Sequence, residues 1–183
     1  MKKIIKLAID IQKEFKDFYL AGGTSIMIKY NHRVSCDLDF FKQKPFSFNH
    51  LFKKVHDKFK IERWVKGADS IDFFISGIKV TFVFFPFKNI EKTQTVKIIK
   101  MAGDLDLFLN KIYAAGRRIE PKEPYDAAYL YKLHKWNKNM IKECFEKKFE
   151  GQSYELYLGA ILNFEDYEPL EKWVKDILSE LGN

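Results

Sequence analysis

The chain places two carboxylates on one predicted strand, a short distance after a pair of glycines. This feature constrains its fold more than any other. Residues 20–41 read LAGGTSIMIKYNHRVSCDLDFF. Residues 35–41 alternate between apolar and polar side chains, which predicts a half-buried strand. On such a strand Asp37 and Asp39 lie side by side on one face, and the apolar residues lie on the other. The segment therefore predicts a carboxylate pair above a hydrophobic core.

The glycine pair lies at the start of a predicted short helix. Gly22 and Gly23 precede residues 24–30, whose composition is typical of a helix. Glycine lets backbone amides approach a phosphate closely, and a helix N-terminus adds a favourable partial charge. Thr24 and Ser25 add two hydroxyls at the same point. We expect these four residues to bind the phosphates of a nucleotide.

The carboxylate pair has the chemistry of a magnesium site. Carboxylates at positions i and i+2 of a strand can hold a divalent cation, and oxygen ligands suit Mg²⁺. Asp37 and Asp39 are therefore predicted to bind Mg²⁺ and to take part in catalysis with a nucleoside triphosphate (NTP) as substrate. Taken singly, the elements also occur as turns, helix caps and solvated strand edges. Their order along the chain favours a triphosphate site.

The chain as a whole is predicted to have a mixed αβ region, residues 1–100, and a helical region, residues 101–183. Apolar residues at helical spacing predict helices over residues 1–18 and 48–59. Strands are predicted at residues 61–65, 70–75 and 78–85, with a further strand around residues 95–99. We expect an α+β fold in which helices flank a mixed sheet and the helical region packs on this core at its active-site side.

Charge and cysteine content narrow the partners and the compartment. The formal net charge is +7 and the sequence pI is about 9.2, which favours an anionic partner. Cys36 and Cys144 are far apart in the sequence, so neither a disulfide framework nor a zinc site is indicated. No apolar run is long enough to span a bilayer. We expect a cytoplasmic protein that has no membrane partner.

Lysines in the helical region suggest a contact with nucleic acid. Acidic residues alternate with them, so a solvated helix face explains the same pattern. The lysines in question are Lys132, Lys135, Lys138, Lys142, Lys147 and Lys148.

The opening segment closely resembles the AbiEii/AbiGii-type nucleotidyltransferase toxins, which are members of the DNA polymerase β-like nucleotidyltransferase superfamily. The resemblance rests on GGTS at residues 22–25 and NHRVSCDLDFF at residues 31–41. The His32-Arg33-x-Ser35 portion makes the match narrower than a general polymerase β-like pattern. The resemblance implies a nucleotidyltransferase that moves a nucleoside monophosphate from an NTP to an acceptor.

The resemblance extends into the helical region and assigns further residues. DLFLNK matches the family's D-x-x-x-x-K pattern, which implies that Lys111 binds the triphosphate. KEPYD fits the next motif with Lys122-Glu123 in place of the usual Arg-Asp, and it places Asp126 at the motif's aspartate, where it would orient Lys111. Arg33 is a further candidate for phosphate contact. Without the resemblance, Lys111 and Asp126 would be read as an ion pair on a helix surface.

One position departs from the superfamily pattern. Related enzymes place a third carboxylate on a later strand, where this chain has Thr81. A missing acid removes the usual general base for the attacking hydroxyl. Asp72 on the neighbouring strand is a candidate replacement, and the alternatives are another base, slow catalysis or inactivity.

Three functions are compatible with these residues. The first is a magnesium-dependent toxin of a toxin-antitoxin system that modifies RNA, with tRNA as the acceptor class and an antitoxin protein as a partner. The second is the same transfer to a small hydroxylated molecule such as an antibiotic. The third is a catalytically silent nucleotide-binding module.

Overall fold

The computed structural model describes residues 2–182, which form two compact units. The first consists of residues 2–88 and Thr93–Ala102, and the second of Asn89–Lys92 and residues 103–182. That the helical region packs on the active-site side of the sheet stays a prediction.

The first unit contains the mixed sheet and its helices. Its elements in chain order are α1 (Lys2–Glu14), β1 (Tyr19–Ala21), α2 (Gly22–Tyr30), β2 (Asp37–Lys42), α3 (Phe48–Lys58), β3 (Ile61–Lys66), β4 (Ser70–Ile75), β5 (Ile78–Phe84), β6 (Gln94–Val96) and β7 (Ile99–Met101). Over the described residues the sheet has seven strands in the order β3-β4-β5-β2-β1-β7-β6. β2 runs antiparallel to β1 and parallel to β5, so the sheet is mixed as predicted.

One face of this sheet is covered by apolar side chains from α1 and α3. Leu38 and Phe40 of β2 are fully buried in the core with Ile11 of α1 and Val55 of α3. Aromatic rings fill the middle of the same core, and Phe82 packs against its neighbours at centroid distances of 4.9–6.1 Å. This layer stabilises β2 through its apolar face and leaves the opposite face of the strand for polar residues.

Two short elements differ from the sequence prediction. The expected strand around residues 95–99 is a hairpin, with β6 and β7 paired antiparallel and Lys97 at φ 57° in the turn. Helix α2 begins at Gly22 rather than at residue 24. The glycine pair therefore forms the first turn of the helix.

The second unit is helical. It contains α4 (Asp104–Ala115), α5 (Lys122–His134), α6 (Lys138–Lys148), α7 (Tyr154–Leu162), a 3₁₀ turn (Phe164–Tyr167) and α8 (Lys172–Gly182). Leu107, Phe108, Leu109 and Ile112 of α4 are fully buried. Together with the mixed sheet, these helices confirm the predicted α+β class. Within residues 2–182 no helix is long and apolar enough to cross a membrane.

Candidate active site

The two carboxylates of β2 lie on the polar face of the strand. Leu38 and Phe40 are 0% exposed, whereas Asp37 and Asp39 are partly exposed. The alternation predicted from the sequence is therefore present, and both carboxylates share one face. They are accessible without any change in the core.

Gly22 and Asp39 meet at the junction of β1 and α2. Ala21 is the partner of Asp39 in the strand register, so the residue after it comes close to the same side chain. A Cβ atom added to Gly22 would lie 2.5 Å from Asp39 Oδ2, and Gly22 has φ +68°. Both facts require glycine, because a side chain would clash with the carboxylate and strain the backbone.

Gly22→Ala is expected to reduce nucleotide transfer about 10²-fold, because a displacement of about 1 Å at a reacting group has costs of that order. The left-handed backbone adds roughly 1–2 kcal/mol of destabilisation. Gly77→Ala is the matched control, since Gly77 has φ +73° and no atom within 4 Å of its added Cβ. Thermal unfolding and transfer rates separate the two effects. Equal loss of transfer in both variants would contradict a role for the contact with Asp39.

The Thr24 hydroxyl connects α2 to β2, and the Ser25 hydroxyl bonds within α2. Thr24 Oγ1 donates to the backbone carbonyl of Asp37 and lies 2.8 Å from Ser35 Oγ. Ser25 Oγ donates to the carbonyl of Gly22 at 2.7 Å. Both side chains are fully buried, as is the Gly23 backbone. That these residues bind phosphates stays a prediction. For the two hydroxyls, such binding would require each to leave its present carbonyl acceptor and donate to a phosphate oxygen instead.

Thr81 occupies the position next to Asp39 in the sheet. The register pairs Asp39 with Thr81 and Thr81 with Asp72, so the three side chains form one row on the same face. Thr81 is 7% exposed, and its hydroxyl has no hydrogen-bond partner among the described residues. Asp72 is one strand further from Asp39 and pairs with Lys79 at 3.2 Å. The row thus holds a buried hydroxyl between two carboxylates.

The donor set of this face fits a divalent cation. Asp37 and Asp39 supply carboxylate oxygens, which are the ligands that Mg²⁺ prefers. The space beside Asp39 Oδ2 is kept open by the absence of a Gly22 side chain. No group of three or more His, Cys, Asp or Glu side chains within residues 2–182 forms a metal site. Any cation here would take its remaining ligands from the substrate and water.

Lys111 belongs to a buried ion-pair cluster in the second unit. Its Nζ lies 2.8 Å from Glu123 Oε2 and 2.8 Å from Asp126 Oδ2, and both carboxylates are completely buried. Glu123 also accepts a hydrogen bond from Arg118 Nε at 3.0 Å. The interpretation of Lys111 and Asp126 as a surface ion pair is therefore wrong. The two carboxylates occupy two of the three donors of the Lys111 ammonium.

Burial and charge act in opposite directions within this cluster. Burial alone would lower the pKa of Lys111, but the charges of Asp126 and Glu123 outweigh it and raise the pKa above its usual value. Burial alone would raise the pKa of Glu123, but the charges of Lys111 and Arg118 lower it. Lys111 and Glu123 are thus held in their charged forms at neutral pH.

A second buried ion pair was missed by the sequence analysis. Lys148 Nζ pairs with Asp106 Oδ1, and both side chains are 0% exposed. Asp106 also accepts hydrogen bonds of 2.9 Å from the backbone amides of Ile90 and Glu91. Burial lowers the pKa of Lys148 despite the nearby charge of Asp106. The assignment of Lys148 to a solvated lysine face is therefore wrong.

A signal for this burial is present in the sequence. Ile141, Phe145 and Lys148 follow one another at helical spacing, and the first two are apolar core residues. Lys148 therefore continues the buried stripe of α6.

Arg33 lies in the loop before β2. It donates from Nη1 to the carbonyl of Val34 at 3.0 Å. It also lines a cavity of about 370 Å³ together with Lys3 and Ser35. Its contact with phosphate stays a prediction.

Comparisons with known proteins agree with this fold. A family model described as "Nucleotidyl transferase AbiEii toxin, Type IV TA system" matches residues 7–182. The uncharacterized protein aq_aa25 of Aquifex aeolicus is 31% identical over 188 residues, which cover 97% of this chain and 88% of that protein.

Two solved structures share the fold. JHP933 from Helicobacter pylori has a TM-score of 0.56 at 12% identity, over 99% of this chain and 91% of that chain. MenT4, a nucleotidyltransferase toxin from Mycobacterium tuberculosis H37Rv, has a TM-score of 0.52 at 12% identity, over 91% of this chain and 69% of that chain.

Proposed function

The chain belongs to the AbiEii family of nucleotidyl transferase toxins, and from this we propose that it transfers a nucleoside monophosphate from an NTP to RNA with the help of Mg²⁺. We propose tRNA as the acceptor class and an antitoxin as the protein partner in the cytoplasm. The family membership makes the chain a nucleotidyltransferase. The acceptor, the cation and the residue roles below are the proposal.

The contact between Gly22 and Asp39 carries this proposal. A catalytic carboxylate needs both a fixed position and space for the triphosphate beside it. A side chain at residue 22 would come within 2.5 Å of Asp39 Oδ2, so glycine provides that space. The amides at the start of α2 lie at the same junction and are suited to an anionic group.

Asp37 and Asp39 would hold the cation. Mg²⁺ bound there would neutralise charge on the triphosphate and orient it for in-line attack. Both carboxylates lie on one face of β2, and the core behind them fixes the strand. This support is consistent with a precisely placed pair of ligands.

The transfer itself forms one P–O bond and breaks another. The acceptor hydroxyl oxygen would attack the α-phosphorus, and pyrophosphate would leave with the bridging oxygen. The hydroxyl proton needs a base, and the Thr81 alcohol is too weak to accept it. We assign this proton to the Asp39 carboxylate oxygen that would not hold the cation, because Asp72 lies one strand further away and pairs with Lys79.

The proposal is tested by supplying the purified protein with each α-labelled NTP in turn. Total tRNA is one acceptor and an aminoglycoside is the other, both in buffer containing Mg²⁺. We expect label in tRNA with at least one NTP. Label in the aminoglycoside alone would refute the RNA acceptor and leave the transfer chemistry in place. If EDTA does not reduce labelling, the role of Mg²⁺ is refuted.

A further inference from the structure

The first unit contains a lysine-lined groove that the transfer chemistry does not use. Two adjoining cavities, of about 510 and 430 Å³, share Lys13 and Lys16 in their walls. We call them together the lysine groove. Its lysines are Lys13, Lys16, Lys42, Lys54 and Lys100.

The charge of the lysine groove is predominantly positive. Its walls contain two acidic side chains, Glu14 and Asp17, and Lys13 also pairs with Asp10 at 3.8 Å. Asp17 pairs with Lys42 at 3.3 Å and is itself 80% exposed, so this pair is weak. The Lys13 side chain is 56% exposed, and Lys16 is exposed and makes no ion pair within residues 2–182. The groove therefore presents a net positive surface to solvent.

Aromatic and backbone contacts hold several of these lysines in place. Lys42 Nζ lies 5.4 Å from the centre of the Phe18 ring, and Lys54 Nζ lies 4.8 Å from that of Phe15. Lys100 Nζ donates to the carbonyl of Lys16 at 3.0 Å. Side chains ordered in advance lose less conformational entropy when they bind an anion. This favours a built anionic site over a set of freely moving surface lysines.

Lys42 of the lysine groove lies on the other face of β2 from the two carboxylates. Lys42 is the last residue of β2 and shares its face with Leu38 and Phe40. It follows Asp39 by three residues, which is about 10 Å along a strand. A ligand in the groove is therefore separate from the reacting phosphate. It would be a part of the acceptor distant from the attacking hydroxyl.

We propose that the lysine groove binds the phosphate backbone of the RNA acceptor. This inference rests on the proposed RNA acceptor. Lysine ammonium groups act as point charges that bind phosphates without reading sequence. Their distribution over two adjoining cavities suits a chain of phosphates better than one compact anion. The groove thus adds affinity for RNA, while the chemistry takes place at the carboxylates of β2.

The test compares two double charge reversals that change the net charge equally. Lys13→Glu/Lys16→Glu alters the lysine groove. Lys60→Glu/Lys92→Glu alters exposed lysines outside the lysine groove. Both are made in the Asp39→Asn protein, and the affinity for total tRNA is measured between 50 and 200 mM salt. The affinity for tRNA is thereby measured in a protein that is not expected to carry out transfer.

We expect the groove variant to bind tRNA at least tenfold more weakly, with the control variant within about threefold of the parent. Losing two phosphate contacts should also reduce the slope of log K against log salt by about 1.4 to 1.8. In the active protein, the groove variant should raise KM for tRNA and leave kcat unchanged. Equal weakening by both double variants would overturn the proposal, because affinity would then follow net charge alone.

The remaining outcomes separate this inference from the proposed function. Groove-dependent tRNA binding without any transfer to RNA would refute the proposed acceptor and leave the groove as an RNA site. Transfer to tRNA with unchanged affinity in the groove variant would refute only the groove. A polyglutamate peptide is the competing ligand. If it competes with tRNA and binds the wild-type protein at least tenfold more tightly than tRNA does, the groove is a site for an acidic protein instead.

Discussion

Asp39→Asn is expected to abolish nucleotide transfer while leaving the fold intact. The change removes a carboxylate charge from the polar face of β2, where the side chain is partly exposed and no core cavity is created. Loss of a metal-binding carboxylate removes several kcal/mol of transition-state stabilisation. A loss of about 4 kcal/mol corresponds to about 10³-fold in kcat. Transfer rates and thermal unfolding of the same preparation provide the measurement.

Asp72→Asn is the matched control for this change. Asp72 lies on the same face in the same row, but one strand beyond Thr81, and it pairs with Lys79. We expect transfer within about threefold of wild type, because Asp72 lies beyond Thr81 and holds neither the cation nor the proton in the proposed site. A loss as large as that of Asp39→Asn would identify Asp72 as the missing third acid. If wild type and Asp39→Asn are equally silent with every NTP, the proposed chemistry is wrong.

Lys111→Met is expected to cost about 3–5 kcal/mol of folding stability, which is typical when one partner of a buried ion pair is removed. The variant leaves Glu123 and Asp126 buried with no ammonium between them. For a chain of this length each kcal/mol lowers Tm by about 2–4 °C, so the fall is roughly 6–20 °C. We also expect loss of transfer at a temperature where the variant is still folded. Calorimetry and transfer assays on the folded variant measure the two effects.

A triple variant separates the two roles of Lys111. In Lys111→Met/Glu123→Gln/Asp126→Asn the uncompensated charges are gone, so most of the lost stability should return. If Lys111 binds the triphosphate, transfer stays absent in the stable triple variant. Recovery of transfer together with stability would show that Lys111 only holds its unit together. An unchanged Tm in Lys111→Met would contradict the buried cluster itself.

The cluster also predicts that the folding stability of the protein falls in acid. The pKa of Glu123 is below its ordinary value of 4.5, so its carboxylate binds protons less readily in the folded state than in the unfolded state. Its contribution is complete above pH 4.5 and is lost as the pH falls through the lowered pKa. The variants that lack this carboxylate should show a shallower decline of stability with acid.

The sequence by itself determined the elements whose cause is local. Alternation over residues 35–41 predicted that Asp37 and Asp39 share one face of β2, since neighbouring side chains of a strand point to opposite sides. Helical spacing of apolar residues predicted α1 and α3 for a similar reason. The motif around these elements was specific enough to indicate the family. All of these inferences depend on residues close together in the chain.

Tertiary structure decided what depends on residues far apart in the chain. Sequence spacing did not reveal that Gly22 clears space for Asp39, because that contact depends on the pairing of β1 with β2. The strand register likewise placed Thr81 between Asp39 and Asp72. Lys111 and Lys148 are buried with carboxylates because helices that pack together bring those charges into one core. A charge in the sequence does not show whether water or a buried carboxylate will surround it, and the packing of distant segments decides which one does.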